Sequence, residues 1–317
     1  MSAPALEAYF LVGPTAVGKS SVAQWIAEHH DYDILSADSM VVYRGMGIGT
    51  AKPGVAERAR VRFSGLDLTP PDKAFSAWDY RQQALEALAA SAAQGRRTLI
   101  VGGSGLYIKS LTDGLAPGAG ASPEIRQHWT GIVKAEGVEP LQKALRDQNP
   151  ALYESLADKQ NPRRLIRALE QAASGCAPRS ATWKEARSAA SVPLVGLTMP
   201  AAELRVRVES RVAAMYRAGL VDEVRRLLND YPNLSETARQ AIGYAEAMDL
   251  IHGRCSRDEA MARTVTRTLQ LAKRQKTWFR GQARVEWVEI GPGMEIADVA
   301  KRVLEHGRHY GPTKIAE

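Results

Sequence analysis

The apolar run Phe10-Leu11-Val12 opens directly into Gly13-Pro14-Thr15-Ala16-Val17-Gly18-Lys19-Ser20, the pattern G-x-x-x-x-G-K-[ST]. Such a loop turns its backbone N–H groups onto anionic oxygens, while the lysine adds a point charge and the hydroxyl a metal ligand. It demands a strand before it and a helix after it, because the amides converge only when a helix N-terminus closes the turn. The spacing therefore predicts a strand over 8–12, a loop over 13–19 and a helix over 20–30 with Val22, Trp25 and Ile26 facing inward. A loop of this kind recognises phosphates and leaves the rest of the ligand undefined.

A second apolar run, Ile34 to Ala37, stops at Asp38, and the glycine-rich segment to Pro53 is too punctuated for a helix. Ser76 with Asp79 makes a capping box for a helix to Ala93, closed by Gly95. Thr98 to Val101 then forms a third strand that ends in Gly102-Gly103-Ser104. Strands alternating with helices predict an α/β fold: a parallel sheet flanked by helices, of the kind found in P-loop nucleotide hydrolases. Ligands of such sheets sit outside the carboxyl ends of the strands, so the loop, Asp38 and Ser104 are expected around one crevice. The texture from 117 to 191 is helical and charged, which predicts a helical insertion. The core is then 1–116 with 192–317, including strands over 192–197 and 285–290 and a last helix from Ile296.

The 317 residues, 45% of them hydrophobic, suffice for a large buried core. No stretch approaches the roughly 20 apolar residues of a membrane span, and MSAPALEAYF has neither a basic n-region nor a cleavage site, so the expected location is the cytoplasm. Cys176 and Cys255 stand alone, which predicts neither disulfide nor zinc site. Lys and Arg number 42 against 35 Asp and Glu, an excess that permits a polyanionic partner.

The distribution of that charge carries more information. Arg263 to Arg280 contains no acid, and Arg263, Arg267 and Arg274 share one helical face while Val265, Leu269, Ala272 and Phe279 share another. Solvated faces usually mix signs, so this one is expected to meet a nucleic-acid backbone, with Trp278 or Phe279 placed to stack a base or to pack. A second cluster, Arg163, Arg164 and Arg167, lies in the insertion. Asp38 is open to three readings: magnesium ligand, base or helix cap. Ser104 either donates to a ligand or simply closes a tight turn. The third strand lacks the terminal acid that usually holds magnesium in nucleotide hydrolases, which weakens an ATPase reading.

As a set, GPTAVGKS, the string Ser36 to Pro53, VGGSGLY over 101–107, RQAIGY over 239–244 and AKRQKTWFR over 272–280 resemble the bacterial tRNA dimethylallyltransferase family. The resemblance runs in order from Tyr9 to Arg280. It implies transfer of a dimethylallyl group from its diphosphate to the exocyclic N6 amine of the adenosine at position 37, beside the anticodon. The ligand of Gly13 to Ser20 is then a diphosphate, with magnesium on Ser20 and Arg211 as a further diphosphate contact. Asp38 becomes the base, Lys19 a catalytic cation, and Ser104 a contact on the substrate side. Contacts to the tRNA anticodon stem-loop fall on Asp38, Ser39, Met40, Val41, Ser104, Arg126, Arg163, Arg164 and Arg167. They continue on Arg239, Gln240, Gly243, Tyr244, Lys273, Arg274, Gln275, Thr277, Trp278 and Arg280. A monomer is expected.

Three departures from the family pattern stand out. Gly47 replaces an acid, Arg62-Phe63-Ser64-Gly65 replaces a paired-histidine segment, and Ser104 replaces threonine. Competing readings are a prenyltransferase for free adenine nucleotides, a small-molecule kinase, and an RNA-binding protein without catalysis. A mononucleotide offers too few phosphates for the basic surfaces, ATP turnover would mark the kinase, and binding without transfer would mark the third.

Overall fold

The computed structural model describes residues 5–115, 123–173 and 192–316. Cys176 and the expected junctions at 116–117 and 191 lie outside the described residues. The chain divides into two compact units, Met1–Gly114 with Ala186–Glu317, and Leu115–Glu185. The first unit begins with β1 (Glu7–Val12), α1 (Lys19–His29), β2 (Tyr32–Ala37), α2 (Val55–Arg60), β3 (Phe63–Ser64), α3 (Ala77–Ala92), β4 (Arg97–Gly102) and α4 (Gly105–Thr112). The second holds α5 (Pro123–Glu136), α6 (Glu139–Gln148), α7 (Pro150–Ser155) and α8 (Pro162–Ala173). The first resumes with β5 (Leu194–Thr198), α9 (Ala201–Arg217), α10 (Leu220–Asp230), α11 (Glu236–Arg239), α12 (Tyr244–Ile251) and α13 (Arg257–Gln282). It closes with β6 (Val285–Glu289), α14 (Ile296–Tyr310) and β7 (Thr313–Lys314).

Six strands run parallel in the order β3-β2-β4-β1-β5-β6, and β7 pairs antiparallel with the first residues of β1. The chain leaves β1 for β2, returns through β4 on one side of β1, and later adds β5 on the other. This reversal of strand order at β1 opens the sheet's carboxyl edge there, which is where parallel sheets hold their ligands. The loop after β1, Asp38 after β2 and the Gly-Gly-Ser turn after β4 all emerge at that edge.

Strand alternation divides the core. Leu11, Ile34, Leu99 and Val101 face a layer made by Val22 and Ile26 of α1 with Val299 and Val303 of α14. Phe10, Val12, Leu35 and Ile100 face Tyr80 and Leu88 of α3, Ile108 of α4, Val208 of α9 and Phe279 of α13. Each such side chain contributes roughly 1.5–3 kcal/mol on burial, which makes the alternation a strong determinant of register. Trp25, expected to face inward, is only partly buried and stacks on His29 with ring centroids 4.2 Å apart. The capping box at Ser76 is present, its Oγ accepting the Asp79 N–H at 3.2 Å.

The second unit packs around Leu141, Leu145, Leu165 and Leu169, spaced four apart on α6 and α8. Its Glu170 is buried and receives Arg126 in a two-pronged contact at 3.0 and 3.1 Å, with Arg167 at 3.4 Å.

Candidate active site

Gly13 follows β1 at φ 138°, with the Leu197 carbonyl of β5 only 2.5 Å from where a Cβ would stand. Any side chain there would meet both a strained backbone and a clash, so the turn into the loop depends on glycine. Lys19 opens α1 and bends back over the loop, donating to the carbonyls of Gly13 at 2.9 Å and Pro14 at 2.7 Å. Burial pushes its ammonium down to about 8, with the Asp38 carboxylate opposing the fall and the Arg211 guanidinium adding to it. Ser20, on the first turn of α1, is exposed and lines the cleft.

Asp38 also lines this cleft of about 650 Å³. Its Oδ1 accepts the Met40 N–H at 2.8 Å, which orients the carboxylate from its own chain. The Ser104 Oγ accepts the Ser39 N–H at 2.9 Å, and the Ser104 N–H donates to the Ala37 carbonyl at 3.1 Å. Those two bonds lash the β4 turn to the Asp38 turn and leave the Ser104 hydroxyl proton to donate elsewhere. The loop, Asp38 and Gly102-Gly103 line one cleft, and Ser104 is tied to it through Ser39.

Arg211 reaches the site from α9, its guanidinium 3.4 Å from both the Thr15 Oγ1 and the Thr50 carbonyl. Burial lowers its pKa and Asp38 raises it, as expected of a cation enclosed beside a carboxylate. Sequence reasoning missed Arg207, one helical turn earlier, which donates to the Val17 carbonyl at 3.4 Å and approaches Gly18. The signal was available: a second arginine at i−4 must share Arg211's face. Ile34, Phe63, Leu66 and Val206 add apolar lining to the cleft.

The segment after β2 is held by a buried carboxylate far along the chain. Glu223 of α10 accepts the N–H groups of Gly47 at 3.2 Å and Ile48 at 2.9 Å, and the Tyr244 hydroxyl at 2.6 Å. Lys52 adds contacts to the Tyr43 carbonyl and to Asp67 at 2.6 and 2.7 Å. The two main departures from the family pattern thus have structural roles. Gly47 contributes its backbone N–H, and a Cβ there would come within 3.3 Å of Glu223 Oε2, so an acid would place two carboxylates together. Phe63-Ser64 forms the edge strand β3 against Ile34 and Leu35.

Tyr244, expected to touch tRNA, is only 1% exposed and its hydroxyl is committed to Glu223, so it is a loop anchor instead. Burial and the Glu223 charge both raise its pKa. Tyr244→Phe is expected to cost ~1–3 kcal/mol, because it leaves a buried carboxylate short of a donor. Urea unfolding of the variant checks this, and an unchanged midpoint would contradict the anchor. Gly243 is likewise buried, its N–H on Glu246 Oε2 at 2.7 Å.

The basic face of α13 also needs correction. Arg263 pairs with Asp249 at 2.7 Å, and Arg267 pairs with Glu246 while donating to the Gln240 carbonyl at 2.9 Å. Both acids lie on α12, so these two arginines fasten helices together and brace the 239–244 turn. The remainder of the stretch keeps Lys273, Arg274, Thr277 and Arg280 exposed, as are Arg239 and Gln240. Phe279 is core, and Trp278 packs over Gly105. In the second unit Arg163 and Arg164 are exposed, whereas Arg126 and Arg167 spend donors on Glu170, whose distance in sequence hid the contact. Ser39 and Met40 are half-buried, and Val41 is buried yet borders the cleft.

Among the described residues no helix is long and apolar enough to cross a membrane. A family model described as IPP transferase matches residues 41–282. A tRNA dimethylallyltransferase of Acidothermus cellulolyticus is 40% identical over 297 residues, covering 93% of this chain and 92% of that protein. One from Geobacter metallireducens is 41% identical over 285 residues, 89% and 91% of the two chains. Among solved structures, the full-length tRNA isopentenylpyrophosphate transferase of Bacillus halodurans superposes with a TM-score of 0.68 at 30% identity, covering 96% of this chain and 97% of that one. A eukaryotic dimethylallyltransferase acting on tRNA reaches 0.71 at 18% identity, over 89% and 73%, a likeness of fold.

Proposed function

Because this chain belongs to the IPP transferase family, we infer that its cleft brings a prenyl diphosphate on the β1 loop against a tRNA adenosine presented to Asp38. The enzyme transfers a dimethylallyl group to adenosine in tRNA. The donor is dimethylallyl diphosphate, and the acceptor is the N6 amine at position 37, beside the anticodon. The observation that carries this reading is the convergence of Lys19, Arg211 and Asp38 on a cleft that also has apolar lining, with Ser104 tied to the Asp38 turn through the Ser39 N–H.

Each group has a defined task. As the allylic C–O bond breaks, negative charge grows on the departing diphosphate, and the loop N–H groups, Lys19 and Arg211 stabilise it. The adenine amine attacks the freed carbon with its lone pair. That lone pair is delocalised into the ring, so the amine gains nucleophilicity as Asp38 accepts its proton. Ser104, held beside Asp38 through Ser39, keeps a donor for the substrate side. The adenosine has to leave its stack to enter, and single-stranded anticodon loops make that extrusion least costly. The exposed Arg163, Arg164, Arg239, Lys273, Arg274 and Arg280 supply phosphate contacts to the stem-loop.

Magnesium suits this donor set. The Ser20 hydroxyl is a hard oxygen at the cleft, and the ion commonly arrives on phosphate oxygens and keeps its waters. Ser20 would hold it, and when bound it would neutralise charge on the diphosphate. The protein acts as a monomer in the cytoplasm, where its tRNA substrates are.

Unmodified tRNA incubated with the protein, magnesium and dimethylallyl diphosphate, followed by mass spectrometry of its nucleosides, tests the reading. Dimethylallyladenosine is expected with the prenyl donor and absent with ATP. ATP consumption without prenylated product would return the loop to nucleotide chemistry.

A further inference from the structure

Gln275 stands in the middle of the basic stretch of α13, between Arg274 and Lys276, yet its side chain reaches into the cleft. The Thr15 N–H donates to its Oε1 at 2.8 Å, and its Nε2 donates to the Gly103 carbonyl at 3.1 Å. The partners fix the amide's orientation, since an N–H needs the oxygen and a carbonyl needs the nitrogen. A Cβ at Gly103 would lie 2.3 Å from that nitrogen, so the approach requires a residue without a side chain. Three residues on, along the same face of α13, Trp278 packs over Gly105, 2.4 Å from its Cβ position.

Thr15 is held twice: its backbone by Gln275 and its hydroxyl by Arg211. The crown of the phosphate loop is thereby tied to α13 and α9, not to its own neighbours. On the other side of the clasp, Gly103 adjoins Ser104, whose hydroxyl holds Ser39 beside Asp38. One amide thus bridges the turn that meets the leaving group and the turn that meets the acceptor.

The geometry points to Gln275 as a positioning residue for the diphosphate, which sets the loop crown against the Ser104 turn before substrate arrives. This rests on the reading of the cleft as a prenyl-transfer site, and it moves Gln275 from tRNA contact to loop architecture. One donor and one acceptor of its amide are committed to this clasp. A loop whose amides are pre-aimed avoids the ordering cost at binding and during bond cleavage.

The test is Gln275→Met, which fills the space without either hydrogen bond. KM for dimethylallyl diphosphate is expected to rise about tenfold, with a parallel loss of affinity for inorganic pyrophosphate by calorimetry, the usual scale for a lost buried hydrogen bond. KM for the anticodon stem-loop is expected to stay near wild type. Should methionine lower the thermal midpoint, Gln275→Glu keeps the acceptor for Thr15, opposes the Gly103 carbonyl, and is expected to give the same split. Loss of stem-loop affinity with pyrophosphate binding intact overturns the inference, as does an equal loss for both substrates in both variants. Failure of the wild type to prenylate tRNA would instead sink the functional reading, while the pyrophosphate measurement would still report on the clasp.

Discussion

Asp38→Ala should abolish prenyl transfer, by roughly the 10²–10⁴-fold that a positioned general base contributes, while tRNA affinity stays close to wild type. The carboxylate is oriented by the Met40 N–H and stands close enough to Lys19 and Arg211 to favour the charged form of both. It is therefore a poor site for phosphate and a good one for an incoming amine. Alanine also removes the oxygen that holds the Met40 N–H, so Asp38→Asn is the sharper variant. It preserves an oxygen for Met40 but accepts no proton. Single-turnover transfer beside stem-loop binding separates the two effects. Equal loss of transfer and tRNA affinity in both variants would remove Asp38 from the role of base.

Lys19 carries the second large effect, and it has a sign. Its ammonium is lowered to about 8 by burial, so the free enzyme holds the cation below that value and loses it above. Affinity for dimethylallyl diphosphate should fall as pH rises through about 8, approaching tenfold per pH unit. Lys19→Ala should reduce transfer by about 10²–10³-fold and erase that limb of the profile. Stability should move the opposite way. Between about 8 and the ordinary lysine value of 10.5 the unfolded chain binds the proton that the folded chain has released, so Lys19's contribution to stability rises with pH in that window. A kcat/KM profile flat to pH 9.5 would contradict the assignment of this group.

The wiring around these residues explains why some of it could be read directly and some could not. Gly13 to Ser20, Asp38 and Gly102 to Ser104 each follow an apolar strand of at least four residues. Local pattern therefore located them, and the parallel order placed them at one edge. The two-residue strands β3 and β7 have no period to detect. The arginines of α13 look alike in sequence, yet Arg263 and Arg267 face acids of α12 while Lys273 and Arg274 face solvent. Arg126 differs from a free surface cation only through Glu170, 44 positions later.

The sequence by itself determined the longer strands, the phosphate loop, the acid that follows the second strand and the family these motifs mark. All are written within a dozen neighbouring residues, where backbone sterics and burial periodicity act. Only the tertiary structure decided which polar groups are spent on the protein itself. Thr15 meets Gln275 across 260 positions, and Gly47 meets Glu223 across 176. A buried hydrogen-bonding group takes whichever partner folding delivers, and no spacing rule links residues that far apart.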